Sequence, residues 1–190
     1  MPDIDIDFAN RTQALDVLKH INARLDSSSK KHNTGVYCTS IPYNPLTGVS
    51  TLDYKHAEER GYFKIDFLNV NVYEGVTSKT HLTKLMETEP LWDLLLEDDF
   101  VNKLFHVNGH GGILREMKPR TIEQLAAVLA IIRPAKRYLI GKDWNTVNAE
   151  VWQRPEGDEY YFKKAHAIAY AHVIVVQMNL ICEQLANSAD

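Results

Sequence analysis

The chain has 190 residues, enough for one domain with a fair-sized core or for a core with a small satellite. With 45% hydrophobic and 24% charged residues it is not a globally disordered chain, and a net charge of -4 excludes a protein that coats nucleic acid by bulk charge alone. Two cysteines, Cys38 and Cys182, are too few for a disulfide scaffold and fit a reducing, cytoplasmic setting; the acidic N-terminus does not read as a signal peptide.

In chain order, DIDIDF (3–8) alternates strictly between acidic and apolar residues, which predicts a strand. Asn10 is placed to cap a helix running to about Leu25, with Leu15, Leu18, Ile21 and Leu25 on one face. SSSKKHNTG (27–35) reads as a polar loop, VYCTSI (36–41) as a strand and PYNPLTG (42–48) as a turn-rich connection. DYKHAEERG (53–61) predicts a short helix stopped at Gly61, and YFKIDFL (62–68) a buried strand. Residues 78–105 suit two or three short helices broken at Pro90, HVNGHGG (106–112) a flexible loop, and 112–117 and 121–132 two helices, the second ended by Arg133-Pro134.

Residues 134–160 carry no clear period, and a last helix is expected over 162–185. Its segment AIAYAHVIVVQMNLIC (167–182) is short for a membrane span and contains His172, Gln177 and Asn179, so a buried core helix is expected and no membrane partner. Strands early and helices late make the fold class α+β: a small mixed sheet carrying an acidic site, packed with a helical C-terminal half. The division falls at residues 1–75 and 76–190, within one compact body.

The alternation places Asp3, Asp5 and Asp7 on one strand face and Ile4, Ile6 and Phe8 on the other, where they can meet a core. Same-face neighbours stand roughly 7 Å apart by the strand rise, and like charges at that distance repel. A divalent cation reverses the sign of the problem, because Mg²⁺ takes carboxylate oxygens. Asp66 stands between Phe63, Ile65, Phe67 and Leu68, where an unpaired charge is costly, and Lys64 is two residues away on the same face. A D-x-D strand plus a lone Asp on a second strand suits metal-dependent nucleotidyl transfer. It suits metal-dependent phosphoester hydrolysis equally, and a solvated strand face is the plain alternative.

Five blocks, in one order, resemble the alpha (catalytic) subunit of bacterial DNA polymerase III. PDIDIDF (2–8) fits its acidic motif, and AEERGYFKIDFLN (57–69) resembles the segment with its third catalytic Asp. KLFHVNGHGGILREMKP (103–119), TIEQLAAVLAIIRPA (121–135) and FKKAHAIAYA (162–171) resemble later segments, so that about half of the chain is covered. The resemblance implies a nucleotidyltransferase-type palm over 1–75 and fragments of fingers over 76–190. It carries the catalytic, metal-binding role to Asp5, Asp7 and Asp66, with Mg²⁺ or Mn²⁺ as cofactor. Asp3 matches an aspartate that is not a metal ligand. Lys64, Lys164 and His166 match positions near the phosphates of an incoming nucleotide, and Arg133 the Arg before a proline motif. The implied partners are a nucleoside triphosphate and/or DNA, in replication or nucleotide modification, with a second copy or a replication protein as further possibilities.

Departures from the family are equally specific. Its glycine- and serine-rich phosphate motif, thumb, PHP, clamp-binding and OB regions have no counterpart in this sequence, and the spacing from Asp7 to Asp66 is short. S-R-G is replaced by Asn108-Gly109-His110, and R-P-G-P by Arg133-Pro134-Ala135-Lys136. These losses speak against processive synthesis and leave open a palm-derived binding protein that holds nucleic acid, a nucleotide or a replication protein. Elsewhere, Lys163, Lys164 and His166 at a helix start favour phosphate, or the lysines are solvated and His166 is a core or capping residue. Tyr170 is within reach of His166 along the helix. His172 reads as a satisfied core histidine and Cys38 as a buried strand residue. His106 and His110 are a weak metal pair. Lys30-Lys31-His32 and Lys136-Arg137 read as solvated, or as contacts to a nucleic-acid backbone.

Overall fold

The alternating IDIDF segment is a strand, β1 (Ile4–Phe8), and it lies in the first of two compact units, Met1–Gly75 and Val76–Asp190. The computed structural model describes residues 4–28, 30–155 and 161–188, so Asp3 lies outside the described residues. After β1 the first unit continues with α1 (Arg11–Val17), β2 (Ile21–Arg24), β3 (Lys31–Tyr37), β4 (Tyr43–Asn44), β5 (Val49–Asp53), α2 (Tyr54–Glu59) and β6 (Ile65–Asn69). The strands form one open mixed sheet in the order β1-β6-β3-β2-β5-β4. β1 runs parallel to β6 and β2 parallel to β5; the other neighbours are antiparallel.

Successive residues of β3 serve opposite faces of the sheet, as a period of two requires. Val36 packs with Leu15 and Phe67, beside Phe8, Ala14 and Ile65, under α1. Tyr37 packs with Ala23, Ile41 and Ala57 under α2. Both helices start on side-chain caps: Asn10 accepts from the Gln13 N–H at 3.2 Å, and Asp53 from the His56 N–H at 3.0 Å. The bond from the His56 N–H, then that from the His56 ring, hold the Asp53 carboxyl down at about 2.

Several sequence expectations change here. The helix from Asn10 ends at Val17, not near Leu25, and the chain re-enters the sheet as β2. Leu15, Leu18, Ile21 and Leu25 imitate a helical stripe, but Leu15 is the buried residue of α1 whereas Ile21 pairs with Tyr37 across the sheet. The supposed loop at 27–35 contains most of β3, and Cys38 lies beyond that strand, exposed. The turn-rich 42–48 segment joins β4 to β5, with Gly48 at φ 66° supplying the left-handed residue that the hairpin needs. Ile4 and Ile6 remain 40% and 38% exposed, because only Phe8 of β1 reaches the α1 core.

In the second unit α3 (Lys79–Glu87) is followed by a 3₁₀ turn (Trp92–Leu96), α4 (Asp98–Val101), α5 (Gly111–Met117) and α6 (Ile122–Ile131). A second 3₁₀ turn (Pro134–Leu139), α7 (Trp144–Glu150) and α8 (Lys164–Asn187) complete it. Helix α6 is capped by Thr121 and buries every residue from Leu125 to Ile131, packing mainly against α8. A helix apolar all round must be enclosed. Helix α8 is the one described helix long and apolar enough to cross a membrane, and half of its apolar window is buried inside the protein. Its polar side chains are satisfied within the unit. Asn179 Nδ2 donates to the carbonyls of Leu85 and Thr88 at 2.9 Å each, and Gln177 bonds both the Phe105 N–H and the Lys103 carbonyl.

Asn179 is only 8% exposed and satisfies two carbonyls at the end of α3. Asn179→Ala is expected to lower unfolding stability by about 1–3 kcal/mol, the usual cost of stranding buried acceptors. Urea denaturation followed by circular dichroism measures it; an unchanged midpoint would show that these bonds contribute nothing.

Candidate functional site

The parallel register of β1 and β6 sets Asp5 directly beside Asp66 and Asp7 beside Leu68. On the other side of β6, antiparallel β3 sets Gly35 beside Asp66. Asp5, Asp66 and Gly35 therefore form one rung across three strands, with side chains on a common face and Cα positions about 4.8 Å apart per strand. Asp7 follows two residues later on the same face. Burial, and then the Asp7 charge, push up the hydroxyl pKa of Tyr73, in the 3₁₀ turn (Asn71–Gly75) after β6.

The glycine in the rung has a specific use. A Cβ built on Gly35 would come 2.6 Å from Cδ of Lys64 and 3.0 Å from Nδ1 of His32. The Lys64 stem thus passes over the bare backbone of β3, and its Nζ forms an ion pair with Asp66 Oδ2. Thr34 Oγ1 donates to the other oxygen, Asp66 Oδ1, at 2.7 Å. Both members of the ion pair are mostly shielded, at 17% and 14% exposure, so the pair is less screened than a surface one.

His32 stands close by but is not a second cation. Its Nδ1 accepts the N–H of Gly35 at 2.9 Å and of Thr34 at 3.3 Å, which requires that nitrogen to be unprotonated. Burial, then the Lys64 charge, lowers the His32 pKa against a smaller opposing pull from Asp66. The 3.8 Å separation of His32 Nδ1 from Asp66 Oδ1 is therefore no salt bridge. The His32 ring instead meets Tyr54 of α2 edge-on at 5.4 Å.

Among the described residues, no three His, Cys, Asp or Glu side chains are gathered closely enough to hold a metal ion. Asp5, Asp7 and Asp66 share a face without closing into a ligand cluster. Their donor chemistry, all hard carboxylate oxygen, suits Mg²⁺ or Mn²⁺ rather than a soft transition metal.

The remaining candidates belong to the second unit. Lys163 is the N-cap of α8 and Lys164 its first residue, with Nζ 6.0 Å from the Trp152 ring centroid; His166 is in the same first turn. The Arg133 guanidinium lies over the Phe162 ring at 5.2 Å, a cation–π distance, and its Nε is buried without a hydrogen-bond partner. Phe162 stacks on Tyr170 at 5.7 Å, and Tyr170 lies 4.7 Å from the His106 ring. His106 has φ 59°, a left-handed backbone that non-glycine residues rarely adopt. Burial and then Arg133 lower the His106 pKa; burial, then Arg137 and Arg133, lower that of His110.

Three minor expectations are corrected. Lys136 is not solvated: it is 3% exposed and its Nζ donates to the Glu150 carbonyl at 2.8 Å. His172 is not fully satisfied, since its Nδ1 is buried without a partner. His32, read as solvated, is half-buried beside Asp66. The sequence reading also missed Thr34 and Gly35. The one signal available was the alternation in KHNTGVY, masked by its polar composition.

Compared with known protein families and with curated proteins, the chain gives no match.

Tyr37, on the same sheet face as Asp66, has its hydroxyl pKa raised from 10.0 to about 12 by burial, then by Asp53, Asp66 and Glu58. Between these values the folded state keeps a proton that the unfolded state releases, so stability is full below pH 10 and falls as pH rises towards about 12. Tyr37→Phe removes this contribution. Its stability, measured by urea titration across pH 9–12, is expected to decline less steeply than that of the wild type. Parallel curves would refute the assignment.

Proposed function

We propose that the chain is a metal-dependent nucleotidyltransferase-like protein, related to the palm of DNA polymerase III alpha, acting in DNA replication or in modification of a nucleotide or DNA. The single observation carrying this reading is the in-register pairing of Asp5 with Asp66 across parallel strands, with Asp7 on the same face. The chemistry of phosphoryl transfer needs acidic ligands from separate strands facing one point, and a basic group nearby for phosphate.

In this reading Asp5, Asp7 and Asp66 are the carboxylates that would hold Mg²⁺ or Mn²⁺. A bound metal would lower the pKa of the attacking hydroxyl and neutralise charge on the triphosphate. Thr34 orients Asp66 through its hydroxyl, and Lys64 supplies positive charge beside it. Lys164, His166 and Arg133 are proposed to take phosphate or the nucleic-acid backbone, and the partner is a nucleoside triphosphate, DNA or both. The resemblance to the polymerase family supports the substrate class; the sheet register supports the acid arrangement. The proposed setting is cytoplasmic.

A second reading is favoured by one specific observation, the engagement of Asp66 by Lys64 and Thr34, with no three-acid cluster gathered among the described residues. It makes the chain a palm-derived protein that binds a nucleotide, DNA or a replication protein, or pairs with a second copy, without transferring anything.

Nucleotide incorporation onto a primed DNA template in Mg²⁺ or Mn²⁺ separates the two. Transfer by the wild type is expected, with a loss of roughly 100-fold or more in Asp66→Asn, as for removal of a principal metal ligand or charge stabiliser. Binding of template or nucleotide without transfer, unchanged in Asp66→Asn, would leave the second reading standing alone.

A further inference from the structure

We propose that a basic cluster within the second unit, built from Arg133, Arg137, His106 and His110, is a binding site for a phosphate group. The inference rests on the phosphate role given to Arg133 above. It adds residues to which the polymerase resemblance assigns no role, and it requires neither a metal nor any residue of the first unit.

Arg133 is the starting observation. Its guanidinium is set over the Phe162 ring at 5.2 Å, and Phe162 is itself 5% exposed and stacked on Tyr170 at 5.7 Å. The planar fork is thus oriented by its face before any ligand arrives. Its Nε is buried without an acceptor. Buried donors nearly always have partners, and an arriving oxyanion would supply the missing one as a charge-assisted hydrogen bond.

Positive charge accumulates around this fork. After burial, it is Arg133 that opposes protonation of His106, and Arg137 with Arg133 that opposes protonation of His110. The four side chains therefore share one electrostatic neighbourhood. Among the described residues neither Arg133 nor Arg137 is in an ion pair, whereas Arg115 and Arg120 of the same unit are paired with Asp98 and Asp93. Arg137 is exposed and donates through Nε to the Ile132 carbonyl at 3.2 Å, just past the end of α6.

The turn that carries the two imidazoles is fixed as well. The Val107 N–H donates to the Phe105 carbonyl at 2.8 Å, and the His110 N–H to the Val107 carbonyl at 3.0 Å. The His106 ring rests on Phe105 at 4.1 Å and on Tyr170 at 4.7 Å, which holds the residue in its left-handed backbone. Strained backbone of this kind concentrates at ligand clamps. A carboxylate brings a single charge, too little for two guanidiniums. A terminal phosphate brings about two charges and more acceptor oxygens, and the bidentate fork of an arginine matches it. Each neutral imidazole still offers one N–H donor.

Calorimetric titration of the full chain with inorganic pyrophosphate, ATP and a single-stranded oligodeoxynucleotide, all in EDTA, tests the site. Wild type is expected to bind, and Arg133→Gln and Arg137→Gln each to weaken binding about tenfold, the usual effect of losing a charge-assisted hydrogen bond. Arg133→Lys keeps the charge, loses the stacked fork and is expected to weaken binding too. Lys79→Gln, which removes an exposed charge of α3, should change nothing. Circular dichroism checks each fold, and Arg137→Gln, at an exposed side chain, carries the test if Arg133→Gln fails to fold. Weakening seen with pyrophosphate and ATP assigns the site to the free phosphates of a nucleotide; weakening confined to the oligonucleotide assigns it to a nucleic-acid backbone.

No binding of any probe at millimolar concentration overturns the proposal, as does binding that both glutamine variants leave unchanged or that falls equally in Lys79→Gln. With no metal or primer present, such a result leaves transfer at the acidic face to the incorporation assay. A failed incorporation assay with pyrophosphate still bound removes the transfer reading alone.

Discussion

Two carboxylates abreast on neighbouring strands are the constraint around which the first unit is arranged. The backbone leaves no freedom in the matter: once β1 pairs with β6 in parallel register, Asp5 and Asp66 are neighbours. Residues from three further positions answer to that charge. Gly35 opens a path, Lys64 uses it, and Thr34 donates to the oxygen that Lys64 leaves. Each is understandable only in relation to Asp66. A glycine in the middle of a strand weakens it in isolation, and here its value lies in the close approach it permits.

The opposite face of the same sheet is held by simpler means. Phe8 and Phe67 meet at 4.7 Å between ring centroids, over Leu15 and Val36. One face is held by apolar contact alone, whereas the other combines the Tyr37 core under α2 with charge compensation around Asp66. That division follows from the period of two, which sends alternate side chains of β1 and β6 to opposite sides.

In the second unit the governing term is enclosure of apolar helix surface. α6 has no polar face over Leu125 to Ile131, and the unit closes around it. α8 is apolar enough to have suited a lipid environment by composition, yet Asn179 and Gln177 bind backbone groups of the same unit. Buried amides placed to satisfy helix ends are what a protein interior requires, since an unpaired amide there is costly. Arg133 is handled differently, over the face of Phe162 and within reach of His106 and His110, whose protonation it opposes.

Much of this was legible in the residues. Strict alternation located β1; the lone acid in an apolar run pointed to β6; the cap at Asn10 marked the start of α1. Local pattern determined these because their causes are local: side-chain period, capping and turn chemistry. What it could not determine was anything set by a partner strand. Ile21 looked helical until β2 was seen between β3 and β5, and KKHNTG looked like a loop because its ordering comes from neighbours rather than from its own apolar content. The sequence by itself determined that Asp5 and Asp7 share a face of one strand and that Asp66 stands alone in another. Only the tertiary structure decided that Asp66 lies beside Asp5, with Lys64 and Thr34 upon it. Pairing partner and register are properties of the whole sheet, in which a single shift of one residue would have turned Asp66 to the other side.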